Sequence, residues 1–308
     1  MLLDLWAIVL AGGAGRRLTA LSGGIPKQFW AFKDGPTLVE ETARRIAPLA
    51  PAHQRVTVVD ASHERYVECL RYRKALGQVV YQPADRGTAA GVLLGLTPVL
   101  EADPDAIVLV TPADHGVTHT DQFHRGILSA VALVRAGVRD VVLFGVEPTA
   151  PAPDYGWITP APAGPPSVGH FAPVSRFHEK PGAAEAERLY VSGSVWNTMV
   201  LVGRARTIFS ECERHLPDVA AMFLAARREP DASRSGFLAA HYPGLPSSDF
   251  SRDVIARARG LALYTWPGRM GWSDLGTPER LRAWRDGTKS SSGRASRRGI
   301  DVPLTGVA

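Results

Sequence analysis

Short apolar runs alternate along the first half of the chain with longer stretches in which apolar residues recur at helical spacing. The short runs predict strands and the periodic stretches predict helices. The predicted strands are Trp6–Leu10, Arg55–Asp60, Gln78–Gln82, Ala106–Val110 and Asp140–Gly145. The predicted helices are Thr37–Ala47, Ser62–Tyr72, Gly87–Leu100 and Thr120–Ala136. Strands rich in Val, Ile and Leu that alternate with helices are typical of βαβ units, so we predict an α/β fold with a mostly parallel sheet.

The pattern changes after residue 146, where residues 147–167 become rich in Pro, Ala and Gly. Beyond this stretch, further strands are predicted at Val174–Glu179, Val195–Val202 and Leu261–Trp266, and further helices at Ala183–Tyr190, Ala205–His215 and Asp218–Arg227. We expect one unit over residues 1–287, with halves 1–146 and 147–287, and a flexible basic tail over residues 288–308.

Composition excludes several classes of protein. The 308 residues are 45% hydrophobic and 21% charged, which is typical of a soluble globular chain. The two cysteines, Cys69 and Cys212, are too few for a disulfide framework or a cysteine-rich zinc site, and they fit a cytoplasmic protein. No apolar stretch is long enough to span a membrane and no signal peptide is recognisable, so no membrane partner is expected.

The net charge of +5 suggests nucleic acid as a partner until its distribution is considered. Residues 280–308 carry seven Lys or Arg side chains and two Asp side chains, so this stretch alone accounts for the charge. Residues 1–279 are neutral and contain no recognisable nucleic-acid-binding motif. We therefore expect no nucleic-acid partner.

A glycine-rich loop follows the first predicted strand and reads Leu10-Ala11-Gly12-Gly13-Ala14-Gly15-Arg16-Arg17-Leu18. Small residues allow backbone N–H groups to surround a phosphate, although a glycine cluster alone also fits a tight turn. Leu18 excludes the Rossmann fingerprint, and Gly-Lys-Ser/Thr of the Walker A loop is absent. Arg17 and Lys27, the latter within Pro26-Lys27-Gln28-Phe29, add two cations that can neutralise a triphosphate.

With Gly-Gly-x-Gly-x-Arg-Leu followed by Pro-Lys-Gln-Phe, the chain resembles the sugar-1-phosphate nucleotidylyltransferases. The Pro-Lys-Gln-Phe variant is similar to that of the mannose-1-phosphate guanylyltransferases. The resemblance extends from about Trp6 to Trp284. It implies a Rossmann-like (GT-A-like) three-layer sandwich with a mostly parallel mixed sheet and a sugar-binding extension. The nucleotide-binding residues that it implies are Leu10, Ala11, Gly12, Gly13, Gly15, Arg17, Gly87 and Thr88.

Gly87 and Thr88 belong to Asp85-Arg86-Gly87-Thr88-Ala89, which opens a predicted helix. The segment resembles the family's Asn-Arg-Gly-Thr-Ala, which lies against the nucleotide base. By itself the segment would be interpreted as an ordinary helix N-cap. Within the resemblance, contact with the base is favoured.

Two aspartates are the candidate metal ligands. Asp114, in Pro112-Ala113-Asp114-His115, follows a predicted buried strand, where a carboxylate is well placed to hold Mg²⁺ against phosphate oxygens. Asp274 belongs to Trp272-Ser273-Asp274-Leu275-Gly276, which resembles the family's Trp-Ser-Asp-x-Gly. The resemblance implies that Asp114 and Asp274 bind Mg²⁺ together; a strand-end turn and a helix cap are the structural alternatives. His115 is expected to be a hydrogen-bonded structural residue.

The sugar side also has matching segments. Tyr155-Gly156-Trp157-Ile158 resembles Tyr-Gly-Tyr-Ile, and Phe177-His178-Glu179-Lys180-Pro181 resembles Phe-x-Glu-Lys-Pro. Trp196-Asn197-Thr198-Met199 resembles Trp-Asn-Ser-Gly but carries Met199 in place of the glycine. The residues that this implies for the sugar phosphate are Tyr155, Gly156, Glu179, Lys180 and Asn197. A surface pair is the structural alternative for Glu179 and Lys180.

The resemblance implies Mg²⁺-dependent transfer of GMP from GTP to mannose 1-phosphate, with Arg17, Lys27 and Asp114 as the catalytic residues. Two alternatives stay open: a nucleotidylyltransferase for another sugar or nucleotide, and a catalytically silent family member that regulates a partner. Whether the chain is a monomer or a homo-oligomer also stays open.

Overall fold

The computed structural model describes residues 4–13, 23–31, 35–161 and 168–284, and the backbone of residues 305–306. Its strands in chain order are β1 (Leu5–Ala11), β2 (Trp30–Ala31), β3 (Arg55–Asp60), β4 (Gln78–Gln82), β5 (Ile107–Pro112), β6 (Gly116–Val117), β7 (Val141–Val146), β8 (Trp157–Pro160), β9 (Phe171–His178), β10 (Val195–Arg204), β11 (Ala262–Trp266), β12 (Trp272–Ser273) and β13 (Thr305–Gly306).

The α-helices are α1 (Leu38–Ile46), α2 (Glu64–Glu68), α3 (Gly87–Ala102), α4 (Thr120–Arg135), α5 (Ala183–Val191), α6 (Ala205–His215), α7 (Pro217–Arg228) and α8 (Asp231–His241). Residues 278–284 are also helical. Phe250–Ile255 forms a π-helical turn, and the 3₁₀ turns are Lys27–Phe29, Ala52–Gln54, Ala61–His63, Arg73–Leu76, Tyr242–Gly244 and Gly268–Met270.

Nine strands form the central sheet in the order β4-β3-β1-β5-β10-β7-β11-β9-β8. The pairs β4–β3, β3–β1, β1–β5 and β7–β11 are parallel, and the other neighbours are antiparallel. β8 also pairs with the start of β10, so this end of the sheet curls back on itself. The α/β fold with a mixed sheet is confirmed, but only the β4-β3-β1-β5 side is consistently parallel as predicted.

Helices cover both faces of the sheet because successive side chains of each strand point to opposite faces. Ala7 and Val9 of β1 pack in one buried cluster with residues of α1 and α4, whereas Ile8 packs in a second cluster with residues of α3, α6 and α7. Burial on both faces explains why the strands are continuously apolar.

The ends of two helices show how side chains determine element boundaries. Thr37 and Glu40 form a reciprocal capping box at the start of α1, with Thr37 N donating to Glu40 Oε2 at 2.8 Å. The other oxygen of Glu40 accepts from Tyr72 N at 2.6 Å. This bond takes the Tyr72 amide away from a helical carbonyl, and the helix predicted over Ser62–Tyr72 is only Glu64–Glu68.

The elements absent from the sequence prediction include the short strands β2, β6, β12 and β13, and two longer elements, β8 and α8. The strand β8 lies in the Pro-rich stretch after residue 146, and α8 has no buried residue, so it lacks the apolar stripe by which helices are recognised. Of the expected flexible tail, the structure describes Thr305–Gly306, which pairs antiparallel with Trp30–Ala31; the rest of that stretch lies outside the described residues.

Candidate active site

A cavity of about 370 Å³ lies at the carboxyl ends of the parallel strands, where ligands bind in sheets of this type. The predicted nucleotide-binding residues that line it are Leu10, Ala11, Gly12, Gly13, Gly87 and Thr88, together with the predicted metal ligand Asp114. Gly15 and Arg17, the remaining residues predicted for the nucleotide, lie outside the described residues.

The backbone after β1 is held by Gln28, whose side-chain amide donates to the carbonyls of Ala11 at 2.7 Å and Gly13 at 3.0 Å. A Cβ atom at Gly12 would lie 2.7 Å from Nε2 of Gln82, so a larger residue there would require the Gln82 side chain to move. Gln28 lies inside the Pro-Lys-Gln-Phe motif, but the motif alone did not predict its role in holding this loop.

Lys27 joins two predicted site segments that are far apart in sequence. Its ammonium donates to Asp114 Oδ2 at 2.9 Å and also to the backbone carbonyl of Asp274. The lysine side chain is only 6% exposed. Burial alone would raise the pKa of the Asp114 carboxyl, but the charge and hydrogen bond of Lys27 outweigh it and hold that pKa below its ordinary value. Asp114 is therefore an ionised carboxylate.

His115 supports Asp114 as a neutral residue. Burial lowers the pKa of His115 to about 4, and its ring packs edge-to-face on Trp272 with the centroids 5.4 Å apart. Its backbone carbonyl accepts two bonds of 3.2 Å from the buried guanidinium of Arg45. These contacts fix the turn that carries Asp114.

The Asp274 carboxylate is bound on several sides. Its Oδ1 accepts from the Tyr155 hydroxyl at 3.1 Å and from the Gly276 amide at 3.0 Å, and Arg280 lies 3.3 Å from both oxygens. Arg280 also pairs with Asp154 at 2.7 Å and lies over the Tyr155 ring. Sequence reasoning counted Arg280 with the basic C-terminal stretch and missed this position.

Three residues predicted for the sugar side lie close to one another, and the first of them, Gly156, directly follows Tyr155. A Cβ atom at Gly156 would lie 3.1 Å from Glu179 Oε2 and 3.3 Å from the Cβ of Asn197. The backbone amide of Asn197 donates to the Gly156 carbonyl at 2.8 Å. Lys180 Nζ lies 3.1 Å from Glu179 Oε1, and the lysine side chain is 60% exposed. We call Gly156, Glu179 and Asn197 the polar cluster.

The segment predicted to face the base is held by the chain around residue 250. Gly87 has a φ of +81°, and a Cβ atom there would lie 2.2 Å from the Ser248 carbonyl oxygen. The Thr88 hydroxyl accepts from Phe250 N at 2.8 Å instead of capping its own helix. The ordinary N-cap interpretation of this segment is therefore wrong for Thr88.

Among the described residues, the non-glycine residues with positive φ are Lys180 at +45°, Met199 at +57° and Leu275 at +48°. Each follows a predicted site residue by one or two positions. Such backbone is costly for L residues and persists where the surrounding structure imposes it, which is frequent at functional sites.

Within the described ranges, no three or more His, Cys, Asp or Glu side chains are grouped so that they could hold a metal ion. No helix in the same ranges has both the length and the apolar character to cross a membrane.

The chain is similar in sequence to several proteins named mannose-1-phosphate guanylyltransferase. The chain is 28% identical over 284 residues to the mannose-1-phosphate guanylyltransferase ManC of Salmonella typhimurium, covering 89% of this chain and 58% of that protein. It is 29% identical over 293 residues to a mannose-1-phosphate guanylyltransferase of Sinorhizobium fredii, covering 92% of this chain and 55% of that protein. The chain thus spans somewhat more than half the length of these two curated relatives.

The chain is also similar to a solved structure. The crystal structure of a mannose-1-phosphate geranyltransferase from Thermus thermophilus superimposes with a TM-score of 0.79 at 30% identity, covering 92% of this chain and 79% of the other. The family described as nucleotidyl transferase matches residues 6–290. Since that match covers most of the sequence, the chain belongs to the nucleotidyl transferase family.

Proposed function

We propose that the chain transfers GMP from GTP to mannose 1-phosphate, forming GDP-mannose and releasing pyrophosphate. One observation carries the proposal: Lys27 links Asp114, which lines the cavity, to the loop of Asp274, whose carboxylate bonds to Tyr155 next to the polar cluster. The named relatives are the reason for choosing guanosine and mannose.

On the nucleotide side, the backbone of Leu10, Ala11, Gly12, Gly13 and Gly15 would surround the triphosphate. Arg17 would add positive charge there, and Gly87 and Thr88 would lie against the base. Backbone N–H groups suit this task because their dipoles are already oriented and need no reorganisation when negative charge develops.

The chemical step is an in-line displacement at the α-phosphorus. A phosphate oxygen of mannose 1-phosphate forms the new bond, while the bond from the α-phosphorus to the bridging oxygen of the β-phosphate breaks and its electron pair leaves with pyrophosphate. Positioning and charge stabilisation do most of the work in such transfers. Lys27 supplies a fixed cation and keeps Asp114 ionised.

The carboxylates fit a Mg²⁺ ion. Mg²⁺ prefers oxygen ligands and is commonly held by one or two carboxylates together with substrate phosphates, so a cage of three acidic side chains is not needed. Asp114 lines the cavity, and Lys27 joins it to the Asp274 loop. Asp114 and Asp274 would hold the ion, which when bound would neutralise phosphate charge. Asp274 would have to share its carboxylate with Arg280.

On the sugar side, Glu179 and Asn197 offer hydrogen-bonding groups to hydroxyls, and Gly156 leaves space beside them. Lys180, exposed and next to Glu179, would bind the phosphate of the sugar. Tyr155 would contribute indirectly, since its hydroxyl holds the Asp274 carboxylate by a hydrogen bond.

The same proposal includes a GT-A-like arrangement in which residues 1–146 bind nucleotide and residues 147–287 bind sugar. The proposal also includes a cytoplasmic location, where GTP is available.

The experiment is a panel of nucleoside triphosphates and sugar 1-phosphates with Mg²⁺, followed by pyrophosphate release. Release with GTP and mannose 1-phosphate above all other pairs is expected. Release only with UTP or dTTP and glucose 1-phosphate would show that the choice of GTP and mannose 1-phosphate as substrates is wrong. No release with any pair, together with retained GDP-mannose binding, would favour the regulatory alternative.

A further inference from the structure

Met199 departs from regular strand geometry at the edge of the candidate site. The pairing of β10 with β7 shifts register between Asn197 and Leu201, and Met199 lies inside this irregularity with a φ of +57°. This is the left-handed region, which a glycine adopts freely and an L side chain adopts at a cost.

Hydrogen bonds on several sides hold the residue there. Its amide donates to Asn197 Oδ1 at 3.1 Å, and its sulfur accepts from the Ser251 hydroxyl at 2.9 Å. The buried Thr198 hydroxyl donates to the Phe144 carbonyl at 2.6 Å, which anchors the preceding residue. The strained backbone is therefore fixed, and so is the direction of the methionine side chain.

That side chain lies at the boundary between the two parts of the site. Met199 lines the same cavity as Gly12, Gly13 and Asp114. Two residues earlier, Asn197 belongs to the polar cluster with Gly156 and Glu179. Met199 thus occupies space between the nucleotide cavity and the place proposed for the sugar.

We propose that Met199 is a specificity-determining residue that restricts the acceptor to hexose 1-phosphates without a bulky substituent. The side chain of methionine and the acetamido group of an N-acetylhexosamine are of comparable size. Because Met199 lines the cavity next to the place proposed for the sugar, that substituent and Met199 would compete for the same space. An apolar thioether also offers no partner to the polar amide of such a substituent. The inference rests on the proposed transferase function.

The test compares Met199→Gly, Met199→Ala and Met199→Leu with the parent. With GTP fixed, kcat/KM for N-acetylglucosamine 1-phosphate relative to mannose 1-phosphate should rise at least about tenfold in the glycine and alanine variants. The leucine variant, which keeps the volume, should retain the parental ratio.

A second measurement separates volume from backbone strain. Both small side chains open the space, but only glycine relieves the positive φ, so the unfolding midpoint of Met199→Gly should exceed that of Met199→Ala. An unchanged acceptor ratio in both small variants would overturn the proposal, as would a leucine variant that gains the acetylated substrate.

The steric role of Met199 can also be tested by binding if the parent turns over no substrate pair. Binding of mannose 1-phosphate and N-acetylglucosamine 1-phosphate to the parent and to Met199→Ala can be measured by calorimetry. A shift of the affinity ratio toward the acetylated sugar in the variant supports the steric role even though catalysis has failed. An unchanged ratio rejects the role.

Discussion

The nucleotide side and the sugar side of the site are constructed differently. The first lies at the ends of the parallel strands, and four of the residues that line it are glycines, of which Gly12 and Gly87 are packed against neighbouring groups. The second lies where the sheet is antiparallel and curls on itself, and it depends on side chains next to positive-φ residues such as Lys180 and Met199.

This difference follows from what each side has to recognise. A phosphate chain is bound by any well-aimed set of N–H dipoles, so the backbone suffices if nothing obstructs it. A sugar is distinguished by hydroxyl directions, which require side chains held in fixed orientations. Adding atoms should therefore damage the nucleotide side, whereas removing functional groups should damage the sugar side.

The largest effect is expected at the junction of the two sides. Asp114→Asn removes the charge that pairs with Lys27 and that would attract Mg²⁺, so kcat should fall by at least about 10³-fold while the fold is retained. Steady-state kinetics and circular dichroism check this. Asp121→Asn, which alters an exposed carboxylate paired with Arg125, is the control and should be active. Near-normal turnover of the Asp114 variant would refute its role.

On the nucleotide side, Gly87→Ala should destabilise the protein by about 2–4 kcal/mol, since it combines a positive φ with a clash against the Ser248 carbonyl. Gly137→Ala has a positive φ but open space and should cost about 1 kcal/mol. Gly244→Ala has neither and should be near neutral. Urea unfolding of the three variants gives the comparison, and equal losses would show that the contact with Ser248 is unimportant.

On the sugar side, Glu179→Gln keeps the shape but removes the charge that pairs with Lys180. We expect the KM for the sugar 1-phosphate to rise about tenfold, equivalent to about 1.4 kcal/mol, with the KM for GTP unchanged. Glu187→Gln, on an exposed position of α5, should behave as the parent. If the KM for GTP rises equally, the separation of the two sides is wrong.

The smallest effect is expected behind the glycine loop, where Gln28 Nε2 lies 3.4 Å from His63 Nδ1. Burial lowers the pKa of His63, so the folded chain binds fewer protons than the unfolded chain just below pH 6.5. The stability should therefore decrease as the pH falls from about 6.5 toward the folded-state pKa. His63→Gln should reduce this slope in urea unfolding at about pH 7.5 and 5.5, which lie on either side of the ordinary histidine pKa. The same slope in both proteins would contradict the assignment.

The sequence predicted strands more reliably than it predicted contacts. Arg55–Asp60 and Gln78–Gln82 were predicted with the bounds that β3 and β4 have, because each is a short apolar run bounded by turns. The strand Trp157–Pro160 was missed because its surroundings are rich in Pro and Gly. The helix Asp231–His241 was missed because none of its residues is fully buried.

The site shows a corresponding division. Local motifs indicated Lys27, Asp114 and Asp274, whose chemistry is visible in a few adjacent residues. The contacts that hold them join distant segments: Thr88 meets Phe250 across 162 positions, and Arg280 reaches Asp154 across 126. Local patterns contain no information on such pairs, because they depend on how the completed sheet folds.

The order of strands in the sheet has a consequence for how the protein is made. β10 lies between β5 and β7, and β7 lies between β10 and β11, so strands from residues 1–146 alternate in the sheet with strands from residues 147–287. A nascent chain that has emerged only as far as residue 146 therefore exposes the unpaired edges of β5 and β7. Such edges promote aggregation, and pairing of strands far apart in sequence is slow. The central sheet can therefore be completed only after Trp266 of β11 has emerged from the ribosome.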